Sequence, residues 1–564
     1  MIKTELDKNL QLALRKLDIP FTDEIQFSRT KDVKFGNVST NLALLLAKTL
    51  RTNPRDLANR ITENLEFNPD IISRVEVAGA GFINFFYSEN YLFEQLKQML
   101  LNPIFGRHKL NISQKANVEF VSANPTGPLS LGHGRQAVLG DVLCRLLENA
   151  GYDVTREYYF NNAGFQMKRL GESVRLRYLE LLGQEVDFPE KHYEGEYIRE
   201  IAASIHEEHG TTWENEPYTS FTAVAETILF GNIKKVLEKI DVHFDVYFNE
   251  DSLYHDGSIQ KLVDAFRARE MVYEKDGATW LATSTFEYDH GQKPDTDKVI
   301  IKSTGEPTYR LPDMAYHANK FERKFDVIID IFGADHIAEY PDVLAGLKAI
   351  GYDTSHVRVL IHQFVTLLKE GEVLKMSKRK ANFVTIDELV DILGIDVFRY
   401  FLVMRSHHSH LNFDLELALK TTMENPVYYI QNAHARICSI ETKALSRDYD
   451  CNNPTVANLT LLTAAEEKGI IEKLLEFPEL TLRLATILEV HPLTTYLEEL
   501  AALYHHYQTA GKKDDSLRVV TDNRELTKAR LALCRATRLV LARGLGILGV
   551  NAPAYMAKGE VQED

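Results

Sequence analysis

The 564-residue chain is 45% hydrophobic and 26% charged, and its length exceeds what a single hydrophobic core usually supports, so two to four domains are expected. Its formal net charge of −16 argues against a protein that coats nucleic acid indiscriminately, although local basic surfaces remain compatible with it. The absence of long apolar runs, of a signal-peptide pattern and of paired cysteine spacings argues against a membrane span, a disulfide framework and a cysteine zinc site, and predicts a cytoplasmic protein.

The first part of the chain is predicted to form a small α+β domain over residues 1–108. Between residues 39 and 65, apolar side chains recur at spacings of three and four, and Asn53-Pro54 interrupts them, which predicts two helices joined by a turn. Residues 73–88 then have strand composition, divided by a glycine-containing turn at 79–81. The polar stretch 101–117 is predicted to be the linker out of this domain.

Residues 109–395 are predicted to form a Rossmann-type domain around a parallel sheet. Strand patterns occur at 118–123, 153–160, 325–336 and 356–364. A glycine-rich turn and a helix at 135–151 connect the first two strands, which indicates a β-α-β unit. The charged, tyrosine-rich, helical segment at about 170–300 is expected to be an insertion that separates two halves of one sheet.

From about Asp396 onward, helical periodicity replaces the strand patterns and predicts an all-α bundle over residues 396–564. Three prolines mark expected helix boundaries, namely Pro426, Pro454 and Pro492. The chain therefore reads as an α/β multidomain protein with a small domain before the parallel sheet and a helical domain after it.

The stretch NPTGPLSLGHGRQAVLGD, from Asn124 to Asp141, connects the first strand of the parallel sheet to its helix. A helix N-terminus at the carboxyl edge of such a sheet attracts anions. Gly132 and Gly134 would let a ligand approach the backbone, and His133 would offer an imidazole donor. A purely structural turn with a capping histidine is an equally good interpretation of these residues alone.

A second stretch, LKMSKRKANFVT, places four cations around one serine: Lys375, Lys378, Arg379 and Lys380. These cations repel one another unless an anion such as a polyphosphate is near. The alternative is a solvated surface loop. The combination of Gly-His-Gly at the first crossover with Lys-Met-Ser-Lys after a late strand is more specific than either motif alone.

These two motifs resemble the signatures of class I aminoacyl-tRNA synthetases. The Lys-Met-Ser-Lys signature is complete at residues 375–378, whereas His-x-Gly-His corresponds to residues 130–133 with Ser130 in place of the first histidine. Several segments along the whole chain further resemble arginyl-tRNA synthetases, namely VEFVSANPTG, YYFNNAG, PTYRLPDMAYH, FGADH and ENPVYYIQNAHARICSI.

The resemblance implies ATP-dependent ligation of L-arginine to tRNA-Arg through an arginyl-adenylate, with Mg²⁺ accompanying ATP, in a monomeric protein that holds no metal of its own. It implies that the C-terminal helical domain binds the anticodon and the N-terminal domain meets the D-loop of the tRNA. A guanidinium has five donors in one plane, and carboxylates with amide oxygens around it are the matching acceptors.

The resemblance assigns roles to residues in four groups. The catalytic group comprises Ser130, His133, Lys375 and Lys378. The ATP-binding group comprises Gly132, His133, Gly134, Asp335, His336, Met376, Ser377 and Lys378. The arginine-binding group comprises Glu119, Asn124, Tyr309, Asp313 and His336. The tRNA-binding group comprises Phe82, Asn84, Tyr428, His434, Arg436, Tyr555 and Met556.

Two other classes of function remain open at this point. Ser130 suggests a catalytically weak paralogue that binds tRNA or arginine as a sensor, although such a protein would have no use for the Lys-Met-Ser-Lys loop. A different class I synthetase or a nucleotidylyltransferase would leave the N-terminal domain and the acidic residues unexplained. For Glu119, Asp313 or Phe82 taken singly, a salt bridge, a helix cap or a place in the core is an ordinary alternative.

Overall fold

The computed structural model describes residues 2–23, 25–30, 33–102, 104–108, 114–288, 296–334, 340–374, 385–449 and 457–556. Within these ranges, no helix is both long enough and apolar enough to cross a membrane. The three described cysteines, Cys144, Cys438 and Cys534, are free thiols.

The N-terminal domain combines three helices with a four-stranded antiparallel sheet of order β1-β2-β4-β3. Its elements are α1 (Ile2–Lys16), β1 (Phe27–Arg29), β2 (Val38–Thr40), α2 (Leu42–Leu50), α3 (Pro54–Glu63), β3 (Ile72–Ala78) and β4 (Phe82–Tyr87). Asn53 caps α3 by accepting from the backbone of Arg55 and Asp56, and Pro54 takes the first helical position, where its missing N–H costs nothing. The predicted helix pair and hairpin are therefore confirmed.

The central part of the chain contains the parallel sheet and its covering elements. They are α4 (Glu89–Leu101), β5 (Lys115–Glu119), α5 (Leu131–Ala150), β6 (Asp153–Phe160), α6 (Phe165–Leu181), α7 (Glu196–His209), α8 (Tyr218–Lys239), β7 (Val246–Asn249), α9 (Ser252–His255), α10 (Ser258–Arg267), β8 (Val272–Lys275), β9 (Ala278–Leu281), β10 (Lys298–Ile301), α11 (Arg310–Glu322), β11 (Val327–Gly333), α12 (Tyr340–Ala349), β12 (Val357–His362), β13 (Val365–Lys369), β14 (Glu372–Val373), α13 (Ile386–Leu393) and α14 (Ile395–Val403).

The main sheet has the order β12-β11-β5-β6-β7, and every neighbouring pair in it is parallel. Its first strand in the chain, β5, lies in the middle, so the order of connection reverses between β5 and β11. This is the doubly wound arrangement that the sequence predicts. Gly151 ends α5 in the left-handed region, with φ of 103°, as expected for a C-terminal glycine.

The prediction of a single insertion in this region needs correction. The segment at about 170–300 is not one insertion, because β7 within it pairs with β6 as the edge of the main sheet. Among the described elements of this segment, α6 to α8 form their own apolar core, β8 to β10 form a small antiparallel sheet, and α9 and α10 also lie outside the main sheet. A four-residue strand is too short to stand out in the sequence, and β7 was missed for that reason.

The C-terminal part is a helical bundle preceded by one further strand. Its elements are β15 (Leu411–Asp414), α15 (Leu415–Leu419), α16 (Pro426–Leu445), α17 (Ala465–Leu475), α18 (Phe477–Ile487), α19 (Pro492–Lys513) and α20 (Arg524–Leu548). The prediction that strands end at Asp396 is wrong, because β15 pairs in parallel with β13. Pro426 and Pro492 begin helices as predicted, and Pro454 lies outside the described residues.

The bundle and the main sheet share one apolar core, which also includes α4. Arg399 of α14, which is fully buried, donates to the backbone carbonyls of Leu548 at 3.1 Å and of Ile240 at 2.7 Å, and to the carboxylate of Asp141 on α5. One side chain thus joins the last helix to two helices of the sheet domain.

Candidate active site

A cleft of about 630 Å³ opens at the carboxyl edge of the main sheet, where the strand order reverses. Ligands bind at such reversal points because the loops of neighbouring strands diverge there, and the volume is typical of a small-molecule site. Seven of the predicted site residues line it: Glu119, Asn124, Ser130, Gly132, His133, Tyr309 and Asp313. The structure therefore brings the glycine-histidine turn and the two acids of the proposed arginine pocket to one place.

The first wall of the cleft is a sharp turn directly after β5. Val121 and Ser122 have φ of 67° and 39°, a left-handed conformation that is costly for a β-branched residue such as valine. Ser122 holds the turn, because its hydroxyl donates to Glu119 Oε1 at 2.9 Å and accepts from the backbone of Tyr159 at 3.1 Å. The predicted strand at 118–123 thus ends at Glu119, and Asn124 comes to face the cleft.

Three acids lie side by side in the sheet beneath the cleft. The register places Glu119 of β5 between Glu157 of β6 and Asp330 of β11, and all three are buried, with 4% exposure at most. Neighbouring like charges repel strongly in a protein interior. This row of acids is stable only if cations cover it.

Helix α11 supplies those cations from the face it packs on the sheet. Lys320 Nζ donates to Glu119 Oε2 and to Asp330 Oδ1, both at 2.6 Å. Arg323 covers the third acid by donating two bonds to Glu157, at 2.6 and 2.7 Å. Burial opposes both charges, yet the attraction between Lys320 and Asp330 lowers the pKa of the acid and raises that of the lysine.

His317, one turn before Lys320, completes this network. Its Nε2 lies 3.0 Å from Asp330 Oδ2, and its Nδ1 lies 2.8 Å from the backbone carbonyl of Asp313. Burial opposes a charge on the imidazole, but the charge of Asp330 holds the pKa of His317 above its ordinary value. Although Glu119, His317 and Asp330 have the spacing of metal ligands, the ammonium group of Lys320 already satisfies the two carboxylates.

Glu250, directly after β7, is an acid of the cleft that the sequence analysis did not assign. Its side chain is buried, with 3% exposure, and its Oε1 accepts from the hydroxyl of Tyr254 at 3.3 Å. Within the described part of the chain, Oε2 has no hydrogen-bond partner. Burial raises the pKa of Glu250 to about 7, and the nearby charge of Asp313 is the second cause of this shift. A cation bound between these acids would relieve both effects.

The hydroxyl of Tyr159 is a second buried polar group in the same corner. Among the described residues it has no hydrogen-bond partner, and its ring packs against Tyr316 at a centroid distance of 4.4 Å. Burial raises the pKa of Tyr159, and the nearby charges of Asp313 and Glu250 add to this. Among the described residues, the acidic corner thus contains two buried oxygen atoms without a hydrogen-bond partner, Glu250 Oε2 and the Tyr159 hydroxyl.

The opposite part of the cleft is the N-terminus of α5. The backbone N–H of Ser130 donates to His133 Nδ1 at 3.0 Å, so the neutral imidazole carries its proton on Nε2. This arrangement makes His133 a donor at a helix end that already favours anions. A side chain at Gly132 would approach only the Ser130 hydroxyl, at 3.7 Å, so the cleft is open in front of this residue.

Gly134 packs against neighbouring helices and does not face the cleft, where a ligand-facing glycine is predicted. A Cβ atom there would lie 3.0 Å from the ring of Phe398 and 3.2 Å from Ile386, and Gly134 does not line the cleft. The structure therefore explains this glycine by close packing of α5 against α13 and α14, and does not place it against a ligand.

Six assigned residues lie outside the described residues, namely Asp335, His336, Lys375, Met376, Ser377 and Lys378. Their neighbours are described: Leu374 pairs with Leu367 at the end of the β13-β14 hairpin, and Ile386 packs near Gly134 on α5. The chain is described again from Thr385, so Ile386 lies at the N-terminus of α5, next to the residue that follows His133. The role of the basic segment stays a prediction.

The two N-terminal candidates for tRNA contact differ in accessibility. Phe82 begins β4 and is 42% exposed, so it is not a core residue. Asn84 is 5% exposed, and its Oδ1 accepts from the hydroxyl of Ser39 at 2.6 Å. This burial argues against a direct contact between Asn84 and a nucleotide.

The C-terminal candidates also divide into exposed and buried residues. Arg436 is exposed, as is Tyr555 at 78%, whereas Tyr428 and Met556 are half-buried. His434 is buried, and its Nδ1 lies 2.8 Å from the carbonyl oxygen of Pro553. Burial lowers the pKa of His434, so a neutral ring donates to this carbonyl. His434 thus holds the C-terminal segment on which Tyr555 is exposed.

Comparison with known proteins agrees with this architecture along the chain. Three family models match: the arginyl tRNA synthetase N terminal domain at residues 4–87, the catalytic domain of class I (R) tRNA synthetases at 95–397 and the DALR anticodon binding domain at 430–556. The fold and the cleft are thus those of a class I tRNA synthetase.

Individual relatives show which family of this class the chain belongs to. The chain is 46% identical over 561 residues to an arginine–tRNA ligase of Chlorobium phaeobacteroides, covering 98% of this chain and 99% of that one. It is 48% identical over 523 residues to the arginine–tRNA ligase of Desulfotalea psychrophila, covering 92% and 93%. The Thermus thermophilus arginyl-tRNA synthetase has the same fold, with a TM-score of 0.77 at 22% identity over 99% of this chain and 100% of that one. The chain therefore belongs to the arginyl-tRNA synthetase family, the arginine–tRNA ligases of class I.

Proposed function

We propose that this protein joins L-arginine to tRNA-Arg in two steps, with arginyl-adenylate as the intermediate. One observation carries the proposal: a single cleft contains both the N-terminus of α5 with His133 and an acidic corner, in which one buried carboxylate oxygen of Glu250 has no hydrogen-bond partner among the described residues. The first feature suits a guanidinium and the second suits a phosphate.

The guanidinium of arginine would lie between Asp313 and Glu250. One oxygen of Glu119 accepts from Lys320 and the other accepts from Ser122. Glu119 therefore shapes the corner but attracts a bound guanidinium less strongly. The planar fork of a guanidinium can satisfy two carboxylates and the hydroxyl of Tyr159 together. Lysine, with a compact ammonium group, would leave some of these buried acceptors unpaired, and that cost gives the specificity.

ATP would place its phosphates at the N-terminus of α5. Nε2–H of His133 would donate to a phosphate oxygen, and Lys375 and Lys378 would stabilise the negative charge that develops on the leaving pyrophosphate. Mg²⁺ would arrive with ATP, bound to its phosphates. We assign no carboxylate of the cleft to the ion, because Lys320 already occupies the position between Glu119 and Asp330.

The reaction itself requires little covalent chemistry from the protein. In the first step, a carboxylate oxygen of arginine attacks the α-phosphorus of ATP, and the bond from this phosphorus to pyrophosphate breaks. In the second step, a hydroxyl of the terminal tRNA ribose attacks the acyl carbon and AMP leaves. If both substrates occupy this one cleft, positioning and charge stabilisation would supply the rate.

The flanking domains would bind the tRNA at two distant places. Exposed Phe82 at the tip of the β3-β4 hairpin can stack on an unpaired base, and exposed Tyr555 with Arg436 would meet the anticodon. A monomeric state and a cytoplasmic location remain predictions. The alternative of a weak, sensor-like paralogue gains no support, because relatives that match nearly the whole chain are named as ligases.

Charging of tRNA with each of the twenty amino acids tests this proposal. We expect ATP-dependent incorporation of arginine alone, with AMP and pyrophosphate as the other products. Incorporation of another amino acid would refute the assignment of the acidic corner to a guanidinium. Absence of incorporation with competent tRNA-Arg would refute the enzymatic proposal itself.

A further inference from the structure

A cluster of histidines around one carboxylate lies outside the cleft, between the loop after α14 and the turn from α18 to α19. His407 and His408 belong to the first segment, and Glu489 and His491 belong to the second. One nitrogen or oxygen atom from each of His407, His408 and Glu489 lies within 4.8 Å of the others. The predicted reaction uses none of these residues.

The ligand atoms are spaced slightly wider than those around a four-coordinate ion. His407 Nδ1 lies 3.6 Å from Glu489 Oε2, and His408 Nε2 lies 3.8 Å from Glu489 Oε1. Ligands at about 2.0 to 2.2 Å from a tetrahedral zinc ion are separated from one another by roughly 3.3 to 3.6 Å. Small side-chain rotations would therefore bring the three atoms into the first coordination sphere.

The burial of His407 gives a second, independent indication of a ligand. The side chain of His407 is only 4% exposed, and within the described part of the chain its Nδ1 has no hydrogen-bond partner. A buried imidazole nitrogen without a partner is costly. This nitrogen lies 3.6 Å from Glu489 Oε2, and a cation bound between the two atoms would satisfy it.

We propose that His407, His408 and Glu489 bind one Zn²⁺ ion. Two imidazoles and one carboxylate form a donor set that zinc accepts, with a water molecule as the fourth ligand. The site is open to solvent on one side, since the His408 side chain is 70% exposed. His491 Nδ1, 3.0 Å from Glu489 Oε2, and the Ser406 hydroxyl, which donates to Oε1 at 3.3 Å, would orient the carboxylate.

The position of the ion would fasten two parts of the molecule together. The loop with His407 is fixed to the sheet domain, because Gln363 donates its N–H to the His407 carbonyl at 2.9 Å, and buried Arg135 of α5 donates to the carbonyls of Ser406 and Ser409. Glu489 belongs to the anticodon-binding bundle. The zinc site would thus tie the catalytic domain to the bundle. The loop that carries His407 is held by Arg135, which lies two residues after His133 on α5.

Zinc binding to the full-length protein, after treatment with a chelator and removal of the chelator, tests this inference. We expect one Zn²⁺ ion per chain by calorimetry and elemental analysis, and an intense visible spectrum typical of four-coordinate Co²⁺ when cobalt replaces zinc. His408→Ala and Glu489→Gln should each weaken zinc binding by at least about tenfold. Zinc should also raise the thermal midpoint of the unsubstituted protein.

His410→Ala is the matched control, because His410 is an exposed histidine of the same loop that contacts Thr366 and not Glu489. This variant should bind zinc as the unsubstituted protein does. His408 is largely exposed and Glu489→Gln is isosteric, so both variants should remain folded, as circular dichroism will verify. Absence of saturable binding at one ion per chain, or equal affinity in all variants, would overturn the proposal.

Discussion

Glu250 is the residue at which stability and proposed function conflict most directly. Its carboxylate is buried beside Asp313, and one of its oxygens has no partner in the described part of the chain, so ionisation is costly while the cleft is free of a cation. Binding sites often retain such unfavourable charges because the ligand relieves them. The same side chain should therefore weaken the free protein and strengthen arginine binding.

Glu250→Gln should reduce kcat/KM for arginine by about 10- to 200-fold, which corresponds to the loss of a charge-assisted hydrogen bond of about 1.5 to 3 kcal/mol. The loss should appear mainly in KM for arginine, with KM for ATP unchanged. Steady-state aminoacylation measures both constants. Glu306→Gln, at an exposed acid outside the cleft, should leave both unchanged, and an unaltered KM for arginine in Glu250→Gln would exclude Glu250 from the pocket.

The stability of the free protein should respond to pH through the same residue. Since the native pKa of Glu250, about 7, lies above the ordinary value of 4.5, the native state holds this proton more tightly than the unfolded state does. The contribution of Glu250 to stability therefore falls as the pH rises from about 4.5 to 7. Without ligand, Glu250→Gln should raise the thermal midpoint at pH 8 and raise it less at pH 5; equal gains at both values would contradict the assigned pKa.

Ser130 is the position where the chain departs from the His-x-Gly-His signature. It precedes α5, and its hydroxyl lies 3.2 Å from His133 Nδ1. Ser130→His would restore a longer donor beside the phosphates, so arginine-dependent pyrophosphate exchange in the presence of tRNA should become faster, by up to about 10- to 200-fold. An unchanged exchange rate would show that position 130 has no role toward the phosphates.

At the scale of elements, α11 and the three strands beneath it form one electrostatic unit. The acids of β5, β6 and β11 share a rung of the sheet, and the cations of α11 follow at helical spacing. Lys320→Met would leave Glu119 without a cation and Asp330 with His317 alone, and removal of one partner from a buried ion pair costs about 3 to 5 kcal/mol. Denaturant unfolding should show this loss.

Lys261→Met is the control for that experiment. Lys261 of α10 pairs with Glu322 at the end of α11, and the Lys261 side chain is 72% exposed. Loss of an exposed pair changes stability little. If Lys320→Met and Lys261→Met had the same effect, the acids of the sheet would not depend on α11.

The elements show where sequence reasoning succeeds and where it fails. Long helices and the strand at Asp153–Phe160 have strong periodicity and were predicted within a few residues. The strand Val246–Asn249 has four residues and pairs only with a partner far away in the sequence, so no local pattern reveals it. Glu250 follows that strand, and it was missed for the same reason.

The role of individual residues was harder to predict than their location. Glu119 and Asp313 do face the same cleft, as the resemblance implied, but the sequence did not show that Lys320 neutralises Glu119. Gly134, Asn84 and His434 have packing or positioning contacts that explain them without a ligand. Such contacts depend on tertiary neighbours, which a motif does not contain.

At the scale of the whole molecule, Arg399 adds a polar contact to the apolar core that the sheet domain and the bundle share. A Cβ atom at Gly549 would lie 2.2 Å from the Arg399 guanidinium, and Gly549 has φ of 67°. Gly549→Ala should therefore destabilise the protein by about 2 kcal/mol or more, through backbone strain and displacement of Arg399. A lower thermal midpoint and faster proteolysis between the domains should result.

Gly546→Ala offers a matched comparison on the same helix, because a Cβ atom there meets nothing within 4 Å. This variant should be as stable as the unsubstituted protein, or slightly more stable, since alanine favours a helix. If Gly549→Ala behaved like Gly546→Ala, the contacts of Arg399 would not help to hold the two domains together.

A crystal structure with a non-hydrolysable analogue of arginyl-adenylate tests most directly whether arginine and ATP share this cleft. The guanidinium should lie within hydrogen-bonding distance of the carboxylates of Asp313 and Glu250, with the group that replaces the phosphate at the N-terminus of α5 beside His133. An analogue bound outside this cleft, or one whose guanidinium points to solvent and leaves Glu250 unpaired, would contradict the account.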